Sequence, residues 1–300
     1  NLGQDLPILL NYLPSVVTTS DAGAGIGYTG IRIRGVSAQS TNITINGIPF
    51  NDAESHGTYW VNLPDFTSSI ESLQVQRGVG TSTNGAGAFG SSINILTDGI
   101  SDNPFAEISN SFGSYDSRKH TIKFSSGLLN NSFELSGRLS KIDSDGYVDR
   151  AFSDLKSYFL QGAYKKGNTF LKALAFGGYE RGYQSWFGLT KDQIKENRRQ
   201  NPYTYENEID DYKQDHYQVH LNQKLNSNWS TNVGLNYTYG RGYYEQYRDD
   251  DDVSTYGGIV VSDLDSNGDE LGTTDLIRRR WLNNNFYVLN TTLNYVSSKL

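Results

Sequence analysis

From about residue 104 onward, the chain alternates between apolar and polar residues with a period of two. Leu235 and Tyr237, for example, alternate with Asn236 and Thr238. Because successive side chains of a β-strand point to opposite faces, this pattern predicts strands with one apolar and one polar face. About eight such segments occur, near residues 105–113, 117–126, 131–143, 155–165, 168–181, 212–225, 228–241 and 281–296.

The connections between these segments alternate in length. Tight Gly/Asn/Ser turns fall near 127–130, 166–167 and 226–227, whereas long connections fall near 144–154, 182–211 and 242–280; an extra tight turn at Gly113–Asp116 interrupts the alternation. Outer-membrane barrels place short turns on the periplasmic side and long loops outside. A soluble β-sandwich is the alternative from composition alone, but it gives no reason for long loops at one end. The pattern therefore favours antiparallel transmembrane β-barrel strands.

The same alternation assigns each strand face. We expect one set of residues to face lipid, namely Trp229, Val233, Leu235, Tyr237, Leu289 and Leu293. We expect the alternate positions to face inward, namely Ser230, Asn232, Asn290 and Asn294. A register shift of one residue would reverse every one of these assignments.

Composition excludes several classes of function. The chain has no Cys, so it can form neither disulfides nor thiolate metal sites, and its formal net charge of -7 argues against a nucleic-acid partner. It lacks GxSxG, HExxH and Walker motifs, and its four His residues are scattered, so we predict that it is not an enzyme. His216 and His220 share one face of a predicted strand, but roughly 13 Å would separate them, too far to share one metal ion.

Residues 1–100 have a different, glycine-punctuated pattern. Apolar residues in Asp5–Val17 recur at helical spacing, and Pro14 is expected to end that helix. Strands are predicted near 31–36, 42–46, 72–77 and 92–97. We therefore expect an α+β domain over residues 1–100, followed by barrel strands over residues 104–300.

Three motifs in this first part occur in a characteristic order. They are IRIRG at Ile31–Gly35, INGIP at Ile45–Pro49 and IESLQVQRGVGTSTNGAGAFGSSINILT at Ile70–Thr97. Together they resemble the plug domain of TonB-dependent outer-membrane receptors, whose last motif reads roughly IExIEVxRGPxSxxYGxxAxGGxINIxT. The matching residues are Glu71, Val75, Arg77, Gly78, Gly85, Ala88, Gly90, Ile93, Asn94, Ile95 and Thr97. Val79 replaces the usual Pro, and Thr83-Asn84 replaces the usual aromatic residue.

The resemblance implies a fold, a location and a function. The fold would be an α+β plug domain followed by antiparallel transmembrane β-barrel strands, located in the outer membrane and contacting its lipid. The function would be active uptake of a scarce nutrient, driven by TonB through an N-terminal segment that this chain lacks. Because such receptors close about 22 strands around the plug, we expect this chain to be part of a longer receptor.

The substrate class is less sharply indicated. The stretches NGIPFNDAESHGTYWVNLPDF and GVGTSTNGAGAFG look most like those of ferric-siderophore or ferric-citrate receptors. The resemblance therefore implies a small-molecule iron chelate. A receptor that imports glycans or peptides with a surface lipoprotein is the alternative within the family, and a passive porin or adhesin barrel is the alternative outside it.

Two plug loops and one barrel loop are the candidate ligand site. In the family, the loops that match Asp21–Thr29 and Asn51–Trp60 touch substrate. The predicted ligand-binding residues are Asn51, Asp52, Glu54, His56, Tyr59 and Trp60, with Tyr183 and Trp186 from the loop that Tyr183–Phe187 opens. Aromatic and polar groups together are what small-molecule sites use. The alternative is that these groups pack the loops against the barrel wall.

Other residues are expected to hold the plug in place. Arg32, Arg34, Arg77 and Glu71 are predicted to form ion pairs, with Glu134 and Arg138 of the barrel as possible partners. Gly35, Gly78 and Gly90 are predicted to permit the required backbone.

One acidic segment raises the question of calcium; apart from it, we expect no cofactor and no metal. Asp263, Asp265 and Asn267 resemble the first half of an EF-hand loop, although Thr274 occupies the position of the bidentate Glu. The segment could hold Ca²⁺ or could simply be a solvated acidic loop.

Overall fold

A computed structural model describes residues 3–79, 88–257 and 272–297. The first hundred residues hold a short helix α1 (Leu6–Leu9) and the strands β1 (Val16–Ser20), β2 (Thr29–Ile33), β3 (Thr41–Ile45), β4 (Ile48–Pro49), β5 (Ile70–Arg77) and β6 (Ser91–Thr97). The strands β1 and β2 form a hairpin. The other four form a mixed sheet in the order β4-β3-β6-β5, in which β3 and β6 are parallel.

The rest of the described chain is dominated by one curved antiparallel sheet. Its strands are β7 (Pro104–Phe112), β8 (Arg118–Ser126), β9 (Phe133–Ser144), β10 (Ser153–Lys166), β11 (Thr169–Tyr183), β12 (Ile209–Lys224), β13 (Trp229–Asp252) and β14 (Thr273–Tyr295). These eight strands pair with their sequence neighbours, from β7 at one edge to β14 at the other. A second short helix, α2 (Lys191–Glu196), lies between β11 and β12. No helix in the described ranges is long and apolar enough to cross a membrane.

The strand faces follow the alternation of the sequence. Leu235 is 48% exposed, whereas its neighbour Asn236 is 6% exposed. Tyr237 stacks between Tyr217 and Tyr287 on the outer face, with ring centroids 6.1 and 4.8 Å away. On the inner face, the side-chain amide of Asn290 donates to a carbonyl of the first hundred residues. The outer face is therefore apolar and aromatic, as expected of a surface in lipid.

Two predicted elements are wrong. The predicted helix over Asp5–Val17 ends at Leu9 and is followed by tight turns, in which Asn11 donates to the carbonyl of Ile8 and Leu13 to that of Leu10. Ser15 then takes a positive φ of 67°. Val16 and Val17, β-branched residues, then begin β1. Both ends of the predicted long loop 242–280 are strand, since β13 continues to Asp252 and β14 begins at Thr273.

One hydrophobic core joins the first hundred residues to the sheet. Ile43, Ile45, Ile93 and Ile95 are almost completely buried, and their cluster includes Phe159, Leu174 and Phe176 from the inner face of β10 and β11. The rings of Phe66 and Phe176 lie 5.3 Å apart. Buried apolar surface of this kind is the main source of stability, so the N-terminal domain is held against this wall by packing.

The ion pairs that join the two parts differ from the predicted ones. Asp65, in the turn before β5, pairs with Lys119 at 2.6 Å and with Arg138 at 3.2 Å, and all three side chains are buried. Glu134 instead accepts hydrogen bonds from Ser101 and Ser125.

The structure therefore corrects the predicted ion pairs of the plug arginines. Within the described ranges, Arg32, Arg34, Arg77 and Glu71 form no ion pair within 4 Å, and all four are exposed. Arg32 lies in β2, Arg34 directly follows it, and Glu71 and Arg77 lie in β5. Arg77 donates instead to the carbonyl of Pro14.

The backbone conformation or its close surroundings explain why glycine is needed at the predicted positions. A side chain at Gly90 would meet Val36 at 2.6 Å and the carbonyl of Ser40 at 3.2 Å, and Gly90 donates its N–H to that carbonyl. Gly35 and Gly78 have φ values of 75° and 93°, a region that favours glycine.

Candidate ligand cavity

A cavity of about 650 Å³ lies where the first-domain loops meet the inner face of β11–β14. Its size falls within the range of small-molecule sites. The first domain contributes Asp21, Tyr28, Phe50, Asp52, Glu54, Ser55, Gly57, Tyr59 and Asn62 to the wall. The barrel strands and the loop after β11 contribute Glu180, Trp186, Asp210, Tyr212, Gln214, Tyr244, Leu282 and Asn284.

The loop from Asn51 to Trp60 is shaped by its own hydrogen bonds. The amide of Asn51 donates to the carbonyls of Thr41 and His56, and its oxygen accepts from the N–H of Ile43 at 2.7 Å. Asp52 accepts from the backbone and hydroxyl of Ser55 at 2.7 and 2.9 Å, as in an Asx turn. Asn51 therefore shapes the loop and does not line the cavity.

The predicted residues of this loop separate into two groups. Asp52, Glu54 and Tyr59 line the cavity. His56, at a positive φ of 57°, is exposed on the loop and is not part of the cavity wall. Trp60 is only 4% exposed and packs in the core beside Phe50, because the short 3-10 turn at Trp60–Asn62 directs it inward. The structure therefore places Trp60 in the core and not in the cavity wall.

The predicted aromatic residues of the barrel loop also differ in role. Trp186 lies edge-on to Tyr28 and Tyr244, with ring centroids 5.3 and 5.5 Å away, and forms part of the cavity wall. Tyr183 is buried beyond the wall, where its hydroxyl donates to the carbonyl of Tyr205 at 2.6 Å. Tyr183 thus fixes the loop that carries Trp186.

The strands contribute acidic residues that sequence reasoning missed. Glu180 of β11 and Asp210 of β12 are each only 3% exposed, and both line the cavity. The hydroxyl of Tyr28 donates to Asp210, which links the first domain to the barrel wall. Each of these carboxylates occupies an inward position of an alternating strand, and that is the signal by which the sequence could have indicated them. The sequence alone does not show which plug loop covers that position.

Burial changes the pKa of acidic groups on the first domain. Burial raises the pKa of Asp21 to about 6 and that of Asp5 to about 8; a hydrogen bond from Thr29 opposes the second shift. Burial, with the nearby carboxyls of Glu180 and Asp210, raises the pKa of the Tyr28 hydroxyl well above its ordinary value. At neutral pH Tyr28 is therefore a hydrogen-bond donor, and Asp5 is largely protonated.

A second, more open cavity of about 430 Å³ lies beyond Trp186. It shares Asp21 and Trp186 with the first cavity and adds Phe187, Leu189 and Ile194, with Arg198 as its basic residue. Trp186 thus separates an outer space from the inner cavity.

No group of three or more His, Asp or Glu side chains is arranged to hold a metal ion in the portion of the chain that the structure covers. The predicted calcium segment at Asp263, Asp265 and Asn267 lies outside the described residues.

Comparison with known proteins agrees with this architecture. Residues 3–92 match the family model of the TonB-dependent receptor plug domain. Over 139 residues the chain is 31% identical to the vitamin B12 transporter BtuB of Vibrio vulnificus, a match that covers 46% of this chain and 22% of that protein.

Solved structures show the same fold at low identity. The ferric-catecholate import receptor Fiu of E. coli K12 superposes with a TM-score of 0.68 at 15% identity, over 97% of this chain and 42% of that one. The copper transporter OprC superposes with a TM-score of 0.62 at 14% identity, over 82% of this chain and 36% of that one. The chain thus spans less than half of each of these proteins.

The fold is therefore that of an outer-membrane β-barrel wall with a plug domain packed against its inner face. Residues 3–92 match the plug domain of TonB-dependent receptors, and the described residues after them form an eight-stranded antiparallel sheet similar in fold to the wall of solved receptors. Members of this family are outer-membrane transport proteins and not enzymes.

Proposed function

We propose that this chain is the plug and ligand-contacting wall of a receptor that takes up a nutrient across the outer membrane with energy from TonB. In this proposal, residues 1–100 act as the gate and residues 104–300 as part of the surrounding wall. The observation that carries it is the cavity enclosed jointly by plug loops and barrel strands. A ligand there touches both parts, as a substrate that signals through the plug must.

The cargo we propose first is an iron chelate. The named cargo of Fiu is a ferric catecholate, which supports it. The named cargoes of BtuB and OprC, vitamin B12 and copper, show that the fold alone does not select a substrate. A glycan or peptide imported with a surface lipoprotein is the second candidate; the aromatic wall of Tyr28, Tyr59 and Trp186 would suit sugar rings.

Transport assays test the proposal. The receptor that contains this chain is produced in the outer membrane of a host without competing receptors. Uptake of radiolabelled ferric siderophores, ferric citrate, vitamin B12 and oligosaccharides is then measured with and without TonB. We expect saturable uptake of one class that requires TonB. Equal uptake in the two hosts would instead indicate a passive pore.

Two variants test whether the uptake depends on the inner cavity. Trp186→Ala removes an aromatic wall that Tyr28 and Tyr244 contact, so it should weaken uptake. Phe187→Ala, an adjacent aromatic that lines only the outer space, is the matched control. If both variants transport like the wild type, the substrate does not bind in the inner cavity.

A further inference from the structure

Among the described residues, the Asp and Glu side chains of the cavity wall have no basic side chain beside them in the wall. Its ionisable carboxyls come from both parts of the molecule: Asp21, Asp52, Glu54, Glu180 and Asp210. Over the ranges that the structure covers, no Lys, Arg or His lines this cavity. Burial disfavours the ionised form of such carboxyls, and a bound cation would stabilise that form, whereas an anionic chelate would find no opposite charge in the described wall.

Polar atoms of the wall also lack partners. Asp210 and Asn62 are 3% and 8% exposed, and one side-chain oxygen of each is buried with no hydrogen-bond partner within the described structure. The other oxygen of Asp210 accepts from Tyr28. A buried polar group without a partner is destabilising, and more so when it is charged. Both of these atoms are acceptors, so the ligand group that complements them is a donor, whereas the indole N–H of Trp186, the third described wall atom without a partner, calls for an acceptor elsewhere on the ligand.

Aromatic rings line the same cavity as these acceptors. Tyr28 and Tyr244 both pack edge-on against Trp186, and all three line the same cavity. Ring faces attract cations, most strongly when water is excluded. The described wall thus combines buried carboxyls, two free acceptors, one free indole donor and aromatic rings, and the carboxyls, acceptors and rings together complement a cationic group of an organic ligand.

We infer that the ligand of this cavity carries a positively charged, hydrogen-bond-donating group, such as a protonated amine, that contacts Asp210 and Glu180 beside the Tyr28, Trp186 and Tyr244 rings. The inference rests on the proposed receptor function and narrows it. Among iron chelates, it selects those with a cationic arm over anionic ones.

A pair of probes of opposite charge tests the inference without knowledge of the natural ligand. One is dansylcadaverine, which has a dansyl ring and a protonated amine. The other is dansyl-aminohexanoic acid, which has the same ring and a carboxylate at the end of a similar chain. Binding to the purified receptor is measured by fluorescence in zwitterionic lipid nanodiscs. We expect the amine to bind at least about tenfold more tightly, a difference that corresponds to about 1.4 kcal/mol.

Neighbouring residues provide a matched pair of variants. Asp210→Asn removes a carboxylate from the cavity, and we expect it to reduce the preference for the amine about tenfold. Asp211→Asn removes the same charge one residue away, on the outer face, where Asp211 accepts from the hydroxyl of Tyr179. We expect that variant to keep the preference. If Asp210→Asn does not assemble, Glu180→Gln replaces it in the same comparison.

Three results would overturn the inference: equal or stronger binding of the carboxylate, no binding of either probe, or equal effects of the inner and outer variants. The uptake assay is independent of these measurements. TonB-driven import without cation preference would refute only the charge inference. Cation preference without TonB-driven import would refute only the proposed function.

Discussion

Replacement of Asp65 by Asn should loosen the plug from the barrel wall. Asp65 is buried and is the shared counter-ion of Lys119, at 2.6 Å, and of Arg138, at 3.2 Å. Its oxygens also accept from the hydroxyls of Ser140 and Thr121 at 2.6 and 2.9 Å. In the variant, two buried cations lose their charged partner, and the new NH₂ group faces donors where an acceptor is needed.

The expected cost follows from this geometry. Breaking a buried ion pair by removal of one partner costs about 3–5 kcal/mol. Asn occupies almost the same volume and tolerates the left-handed backbone of Asp65, whose φ is 52°, so neither a cavity nor backbone strain contributes. The difference therefore reports the lost charge and hydrogen bonds.

Hydrogen exchange measured on the assembled receptor tests this expectation. Amides of β5 and β6 should lose about two to four decades of protection where they exchange by plug opening, since 1.36 kcal/mol corresponds to a factor of ten. Amides in β12 and β13 should change little. Asp116→Asn is the control, because Asp116 and Arg118 form an exposed pair expected to contribute only about 0–1 kcal/mol. Unchanged protection of β5 and β6 would refute the assigned role of this network.

The same network predicts a dependence on pH. Burial alone would raise the pKa of Asp65, but Arg138 and Lys119 outweigh it, and the pKa lies below the ordinary value of 3.8. The stabilisation is therefore present above pH 3.8 and is lost as the pH falls through the lowered pKa. Plug protection should fall in that acidic range in the wild type, whereas the Asp65→Asn variant should lack this component.

Three further results are expected. Leu235→Arg, on the exposed outer face, should cost about 2–4 kcal/mol of barrel stability near the membrane midplane, measured by denaturant titration in lipid; a neutral effect would refute the face assignment. Asp5→Asn should abolish a loss of plug stability that the wild type shows as pH rises from about 4 to about 8, because burial raises the pKa of Asp5 to about 8; parallel pH profiles by hydrogen exchange would contradict this. Trp60→Ala should destabilise the plug by about 3–5 kcal/mol, whereas Tyr59→Ala should weaken ligand binding and leave plug protection intact; the reverse result would contradict their assigned positions.

The barrel strands were predictable because one local rule governs them. Each of the eight predicted segments overlaps one strand from β7 to β14. Alternation also separated Leu235 from Asn236 correctly. The rule failed only beyond residue 241, where Tyr243 pairs with Trp281 and Glu245 with Arg279. Strands that extend beyond the bilayer need no apolar face, so hydropathy does not mark their ends.

Residue roles that depend on tertiary packing were less predictable. Arg138 was recognised as an inward-facing plug anchor, but its partner Asp65 was not, because Asp65 lies in a turn with no motif of its own. Trp60 was expected to touch a ligand because it ends a polar loop, yet one 3-10 turn places it in the core. Whether a loop aromatic contacts ligand or core depends on the path of the backbone, which residue type does not reveal.

The two regions of contact between plug and wall differ in whether their buried carboxyl groups have cationic partners. Along β8 and β9, the carboxylate of Asp65 is matched by two cations. Along β11 and β12, Glu180 and Asp210 are equally buried, but the cavity wall provides no cation in the described ranges. Since an uncompensated buried charge is expensive, a contact that served only to hold the plug would resemble the first region. Within the described residues, the second region therefore has buried carboxyls without a cation at the cavity that the plug loops and the wall enclose.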